Sequence, residues 1–287
     1  MNKYARYVLK EGYDTFRYGI KGYLTEKNII DKNTYGKVVS FKNKYKGKKC
    51  VLIGSGPSLT MEDLTVLSKC DVVTIACNSL FKAYDFTPWR ADLYCIADSG
   101  VFKTVAEKAL ELQQEKPMFV SEAVYNEIDS LNLKNKVYPI RVRCNADYPQ
   151  KRKFSGNAGR YMYRFGSVLY FMIQLAVYLG FDEIYLLGCD CNYSYTKMED
   201  GTIQKTGDKD YFMPGYEDRK GHQPINQFNI VMPDYDEARR FADKNNIKIF
   251  NATRGGKLES FIRVNFDEVF KVEEKNEGCS CRTDEVK

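Results

Sequence analysis

The 287-residue chain is 44% hydrophobic and 29% charged, with a formal net charge of +6, a balance that places it among folded globular proteins and excludes the disordered and fibrous classes. No run approaches the ~18 apolar residues of a membrane span, and the N-terminus lacks the apolar core of a signal peptide, so the chain is expected to stay in the cytoplasm. Nine cysteines, without a C-x-x-C pair and with a single histidine in the whole chain, read as reduced thiols; structural zinc is not expected and no metal is assigned.

Residues 1–47 read as a basic, aromatic extension. The first 50 residues carry 13 Lys or Arg against 4 acids, with nine Tyr or Phe interleaved. The spacing of Tyr4, Tyr7, Val8 and Glu11 predicts a short helix, followed by a glycine-punctuated connector rich in Lys and Tyr. This asymmetry suits an anionic surface, membrane phospholipid or nucleic acid. The reading taken is peripheral association with the inner face of the plasma membrane, with no nucleic-acid partner. A solvated lead-in whose aromatics pack on the main domain is the plainer alternative.

Residues 48–270 read as one α/β domain, and residues 271–287 as a charged, disordered tail. Cys50–Ile53 is a short apolar run stopped by Gly54-Ser55-Gly56-Pro57-Ser58, after which Leu59, Leu64 and Leu67 fall at helical intervals. Strands follow at residues 72–76 and 93–97, each ending on a polar residue, Asn78 and Asp98. A helix over 102–114 and strands over 117–120 and 137–142 come next. Residues 168–180 are almost wholly apolar between Gly166-Ser167 and Gly180, which predicts a buried helix feeding a buried strand over 183–188 and then Cys189-Asp190-Cys191. Residues 196–232 lack periodicity and read as a long loop. A helix over 234–245 and a strand over 247–250 close the domain. Strands alternating with helices predict a single Rossmann-like, GT-A-like domain, its mostly parallel sheet covered by helices on both faces. Asn78, Asp98 and Asp190 should then line one cleft with the glycine loop, beyond the carboxyl ends of the strands.

The loop matches a dinucleotide fingerprint only at its first two glycines, and no G-K-[ST] follows it as in a Walker loop. What remains is a turn in which glycines let the backbone approach a ligand, Pro57 starts the helix, and N–H groups meet a phosphate. A tight strand-to-helix turn is the structural alternative. The segment Asn251-Ala252-Thr253-Arg254-Gly255-Gly256-Lys257-Leu258 offers Arg254 and Lys257 as candidates for a phosphate or carboxylate.

Together, V-L-I-G-S-G-P-S-L over 51–59, Cys77-Asn78, Gly166-Ser167-Val168 and the stretch 179–190 resemble the family 42 bacterial sialyltransferases. They equally resemble the related domain-of-unknown-function family 115, which includes flagellin-modifying nonulosonate transferases and MptE-like pterin diphosphokinases. The resemblance spans about residues 50–265. It implies a donor nucleotide held by Gly54, Ser55, Gly56, Pro57, Ser58 and Asn78, with Asp98 and Ser167 at positions near family donor contacts. It also implies tyrosines that stabilise the departing phosphate, for which Tyr193 and Tyr195 are the candidates and Tyr211 a more remote one. His222, in a Gly-His pair before the last helix, falls where that family keeps its general base, and such a base titrates near neutral pH. Asp190 is the second catalytic candidate.

The function so implied is metal-independent, inverting transfer of an acidic sugar from a cytidine-monophosphate donor to a surface glycan, glycolipid or protein, with no further cofactor. The first alternative is an MptE-like 6-hydroxymethylpterin diphosphokinase using ATP and Mg²⁺, for which the carboxylates Asp98 and Asp190 speak. The second is a non-catalytic nucleotide-binding protein.

Overall fold

The computed structural model of the chain describes residues 3–113, 116–128, 137–144, 152–164, 167–198, 200–207, 209–216, 225–226 and 228–271. Helix α1 spans Lys3–Glu26, and a 3-10 helix at Tyr35–Phe41 leads to strand β1, Lys49–Ile53. Then follow α2 (Met61–Leu67), β2 (Val73–Cys77), β3 (Leu93–Ile96), α3 (Ser99–Gln113), β4 (Met118–Ser121), α4 (Glu122–Glu127) and β5 (Val137–Ile140). Short strands β6 (Val142–Cys144) and β7 (Met162–Arg164) precede α5 (Val168–Leu179) and β8 (Glu183–Leu187). The chain continues through β9 (Tyr195–Lys197), β10 (Ile203–Lys205), β11 (Ile225–Asn226), α6 (Phe228–Lys244), β12 (Lys248–Asn251), β13 (Ile262–Arg263) and α7 (Phe266–Val269).

Eight strands form one parallel sheet in the order β13-β12-β8-β1-β2-β3-β4-β5. Parallel strands joined by helical crossovers are covered on both faces and therefore read as unbroken apolar runs. Residues 50–53, 93–96 and 118–121 are accordingly buried at every position. The chain moves outward from β1 to β5, then returns to place β8 on the other side of β1. That reversal puts the topological switch point at the carboxyl ends of β1 and β8, the place where sheets of this kind take their ligands.

Helix α5 is buried along nearly its whole length, capped by Ser167 and stopped by Gly180 at φ +92. Its one polar residue, Gln174, is fully satisfied: Oε1 accepts from the backbone of Ser155 (3.1 Å) and Tyr163 (2.9 Å), and Nε2 donates to Tyr163 O (2.6 Å). A buried amide left unpaired costs about 1–3 kcal/mol, so Gln174 fixes β7 against α5 rather than weakening the core.

Four sequence expectations change. The N-terminal helix runs through Gly12, Gly19 and Gly22 to Glu26, where a short helix was expected. Helix propensity loses because tertiary contacts hold its C-terminal end. Gly22 packs against the Arg160 backbone, where a Cβ would come within 2.7 Å. Glu26 takes Arg160 Nε at 2.7 Å and Lys42 Nζ at 2.9 Å; burial would raise its carboxyl, but these cations hold it down to about 2.

The expected strand 137–142 breaks at Arg141, which is buried and donates to Thr25 Oγ1 at 3.0 Å and to Asp31, with its guanidinium over the Tyr35 ring. β6 then leaves the main sheet to pair with β7. The long loop over 196–232 contains a small sheet, β10-β9-β11, and helix α6 begins at Phe228 rather than Asp234. Pro233 marks a helix start in sequence, yet it lies inside α6, where its cost is confined to one lost N–H bond and local crowding. Apart from Lys271, the tail lies outside the described residues.

Candidate functional site

The glycine loop closes onto β8. Gly54 N–H donates to Leu187 O (2.8 Å) and Gly56 N–H donates to Gly188 O (2.8 Å). A Cβ on Gly54 would lie 2.4 Å from Gly188 O, and one on Gly56 would lie 2.0 Å from Asp190 Oδ2. Both glycines are thus required by the strand junction itself, a reason that sequence spacing does not reveal.

Asp190 is the hub of this junction. Its side chain is 6% exposed at the residue level and accepts from Ser58 Oγ at 2.7 Å. Burial pushes its carboxyl above the usual aspartate range, against the lowering effect of the Ser58 hydroxyl and backbone N–H. Its carbonyl accepts from Lys257 N–H at 2.7 Å, and Gly256, at φ +75, leaves no room for a Cβ beside the Asp190 backbone. Thr253 Oγ1 accepts from Cys189 N–H at 3.0 Å. Loops after β1, β8 and β12 therefore converge on Asp190, the first on its carboxyl and the last on its backbone.

Pro57 does not start the helix. Thr60 is the N-cap of α2, in a capping box with Asp63, and Glu62 and Asp63 occupy the first turn. Those carboxylates answer the positive end of a two-turn helix, so its N-terminus offers little to a phosphate. Arg254 is committed as well: it chelates Asp63 at 2.8 Å to both oxygens and reaches Asp267 at 2.8 Å.

Asn78, at the end of β2, has φ +53, and its carbonyl accepts from Tyr94 Oη at 2.6 Å. Its side-chain Oδ1 is buried without a partner, as is Oδ1 of Asn192, two residues beyond Asp190. Unpaired buried acceptors are uncommon, and each would gain from a ligand N–H or O–H. Asp98 instead caps α3, accepting from Val101 N–H at 2.9 Å. Ser167 caps α5 and accepts from Tyr235 Oη at 2.9 Å.

An aromatic layer covers the loop. Phe212 N–H donates to Ser55 O at 3.1 Å, and Tyr211, Phe212 and Tyr216 pack together, with Tyr193 edge-on to Tyr211 at 6.4 Å. Lys82 ties this layer down through the carbonyls of Gly215 and Tyr216. Tyr195 opens β9, paired with Ile225 of β11. His222 lies outside the described residues. Sequence reasoning missed Tyr94, Asn192, Phe212, Tyr216 and Thr253; of these only Asn192 and Thr253, in the loops after β8 and β12, stand where a strand end signals them.

A family model described as 6-hydroxymethylpterin diphosphokinase MptE-like matches residues 26–196. No curated protein matches the chain. Among solved structures, the MAf glycosyltransferase from Magnetospirillum magneticum AMB-1 aligns with a TM-score of 0.50 at 17% identity, over 82% of this chain and 38% of that one. The chain thus spans well under half the length of that protein. The sialyltransferase CstII from Campylobacter jejuni, in complex with the substrate analogue cytidine-5'-monophosphate, aligns with a TM-score of 0.41 at 16% identity, over 76% of this chain and 85% of that one.

Proposed function

The chain belongs to the MptE-like family, and from that premise we propose that it is a transferase whose nucleotide donor lies at the switch point between β1 and β8. The observation that carries this reading is the convergence of the Gly54–Ser58 loop and Asp190 at the point where strand order reverses. Within it, the donor is a nucleotide-activated sugar, a cytidine-monophosphate-linked acidic sugar passed with inversion to a glycan, glycolipid or protein hydroxyl. Two features support a single phosphate over a triphosphate. Arg254 is held by Asp63 and Asp267, and the cover over Ser55 is aromatic.

In this reading Asn78 Oδ1 and Asn192 Oδ1 accept from base or ribose donors, and Tyr193 and Tyr195 hydroxyls meet the leaving phosphate. His222 takes the acceptor proton. Asp190 holds the loop through Ser58. Asp98 and Ser167, being caps, position their helices rather than the donor.

The diphosphokinase reading is favoured by one observation, the Asp190 carboxyl beside the loop, since Mg²⁺ on a nucleotide needs only one or two carboxylates besides phosphate oxygens. Release of CMP from a CMP-activated acidic sugar, with and without chelator, tests the choice. Metal-independent release that falls roughly 10²- to 10⁴-fold in His222→Ala supports glycosyl transfer. Pyrophosphoryl transfer from ATP that requires Mg²⁺, with no CMP release, replaces it by the kinase.

A further inference from the structure

Helix α1 is held to the body of the protein through its C-terminal half. Tyr18 meets the Tyr161 ring at 6.2 Å, Gly22 abuts Arg160, and Thr25 is buried against Arg141. At about 100° per residue these three positions share one face, and Leu9, Tyr13, Phe16 and Ile20 fall opposite them in a stripe about 60° wide; Tyr23, which continues the stripe, lies under the Arg160 guanidinium at 5.5 Å. All four are exposed, Phe16 by 67% and Leu9 by 62%. Arg6, Lys10 and Lys21, also exposed, fall in a sector about 60° wide that begins about 20° beyond one edge of that stripe.

We propose that this outward face of α1 is a docking surface for a bilayer that carries anionic phospholipid. An apolar stripe bordered by bases matches both layers of such a surface at once. Aromatic and aliphatic side chains enter the boundary between headgroups and acyl chains, and the bases meet lipid phosphate. The chain's net charge of +6 adds attraction of the same sign. Among the described residues no helix is long and apolar enough to cross a membrane, so α1 lies along the surface. The neighbouring 3-10 segment takes no part, because Val38 and Phe41 are in the core. The proposal goes beyond the transferase reading and its test uses no donor, so the two stand or fall separately.

The test is co-sedimentation of the full chain with vesicles of phosphatidylcholine containing roughly 30% phosphatidylglycerol, against phosphatidylcholine alone. The wild type binds the anionic vesicles and loses binding as salt rises. Phe16→Ser with Ile20→Ser, and separately Arg6→Glu with Lys21→Glu, each weaken binding by at least about tenfold, with thermal midpoints unchanged because all four side chains are exposed. Absence of binding to anionic vesicles, or equal binding by both double variants, overturns the proposal. So does a concentration-dependent dimer that the Phe16/Ile20 variant abolishes without any vesicle binding, which would assign the face to a second copy of the chain.

Discussion

Ser58 and Asp190, 132 residues apart in the chain, join the loops that follow the neighbouring strands β1 and β8 through a hydrogen bond of 2.7 Å from Ser58 Oγ to Asp190 Oδ2. The bond favours the charged carboxyl, whereas burial opposes it. Ser58→Ala is expected to lower stability by about 1–2 kcal/mol in urea denaturation at neutral pH. The loss should shrink as pH falls and Asp190 takes up a proton, since a neutral carboxyl accepts the hydroxyl's hydrogen bond less strongly than a carboxylate. A loss independent of pH would mean that the hydroxyl only fills space.

Arg254 gives a sharper contrast between site and scaffold. Asp63 is 3% exposed and depends on this guanidinium. Arg254→Ala is expected to cost about 1–3 kcal/mol, discounted from a fully buried pair because the arginine is partly in solvent. Nucleotide affinity should stay within about twofold, because the side chain faces α2 and α7. A drop of tenfold or more with unchanged stability would return Arg254 to the ligand.

Asp234 predicts an unusual pH dependence. It is 1% exposed, with Arg152 Nε 3.3 Å away, and burial pushes its carboxyl up to about 7 against the pull of that cation. The folded state then binds a proton that the unfolded state releases near pH 4, so stability declines as pH rises from about 4 to about 7 and levels off above. Thermal melts should show the wild type losing up to about 3 kcal/mol relative to Asp234→Asn between pH 5 and pH 8. A constant gap would show that Asp234 is ionised throughout.

The sheet was legible because parallel strands announce themselves as apolar runs, as at residues 50–53 and 184–187, and α5 because an all-apolar helix has nowhere to lie but the core. The polar strand ends were legible for the same reason: Asn78, Asp98 and Asp190 all follow such runs. What each one does was not. Asp98 caps α3 and Asp190 binds Ser58, and these partners depend on loop geometry rather than on spacing. The small sheet of β9, β10 and β11 was hidden because two- and three-residue strands carry too few side chains for a period. The length of α1 was hidden because Arg160, which accommodates Gly22, is 138 residues away in the chain.

The most direct measurement of the central claim is a calorimetric titration with CMP, and with ATP plus Mg²⁺, of the wild type and of Asn78→Gly. The substitution keeps the left-handed turn at φ +53, which glycine adopts freely, and removes the unpaired Oδ1. The account predicts that CMP binds the wild type without metal and that Asn78→Gly weakens it by about tenfold, the worth of one good hydrogen bond. Failure of every nucleotide to bind, or binding that Asn78→Gly leaves unchanged, would contradict a nucleotide site at the β1/β8 switch point.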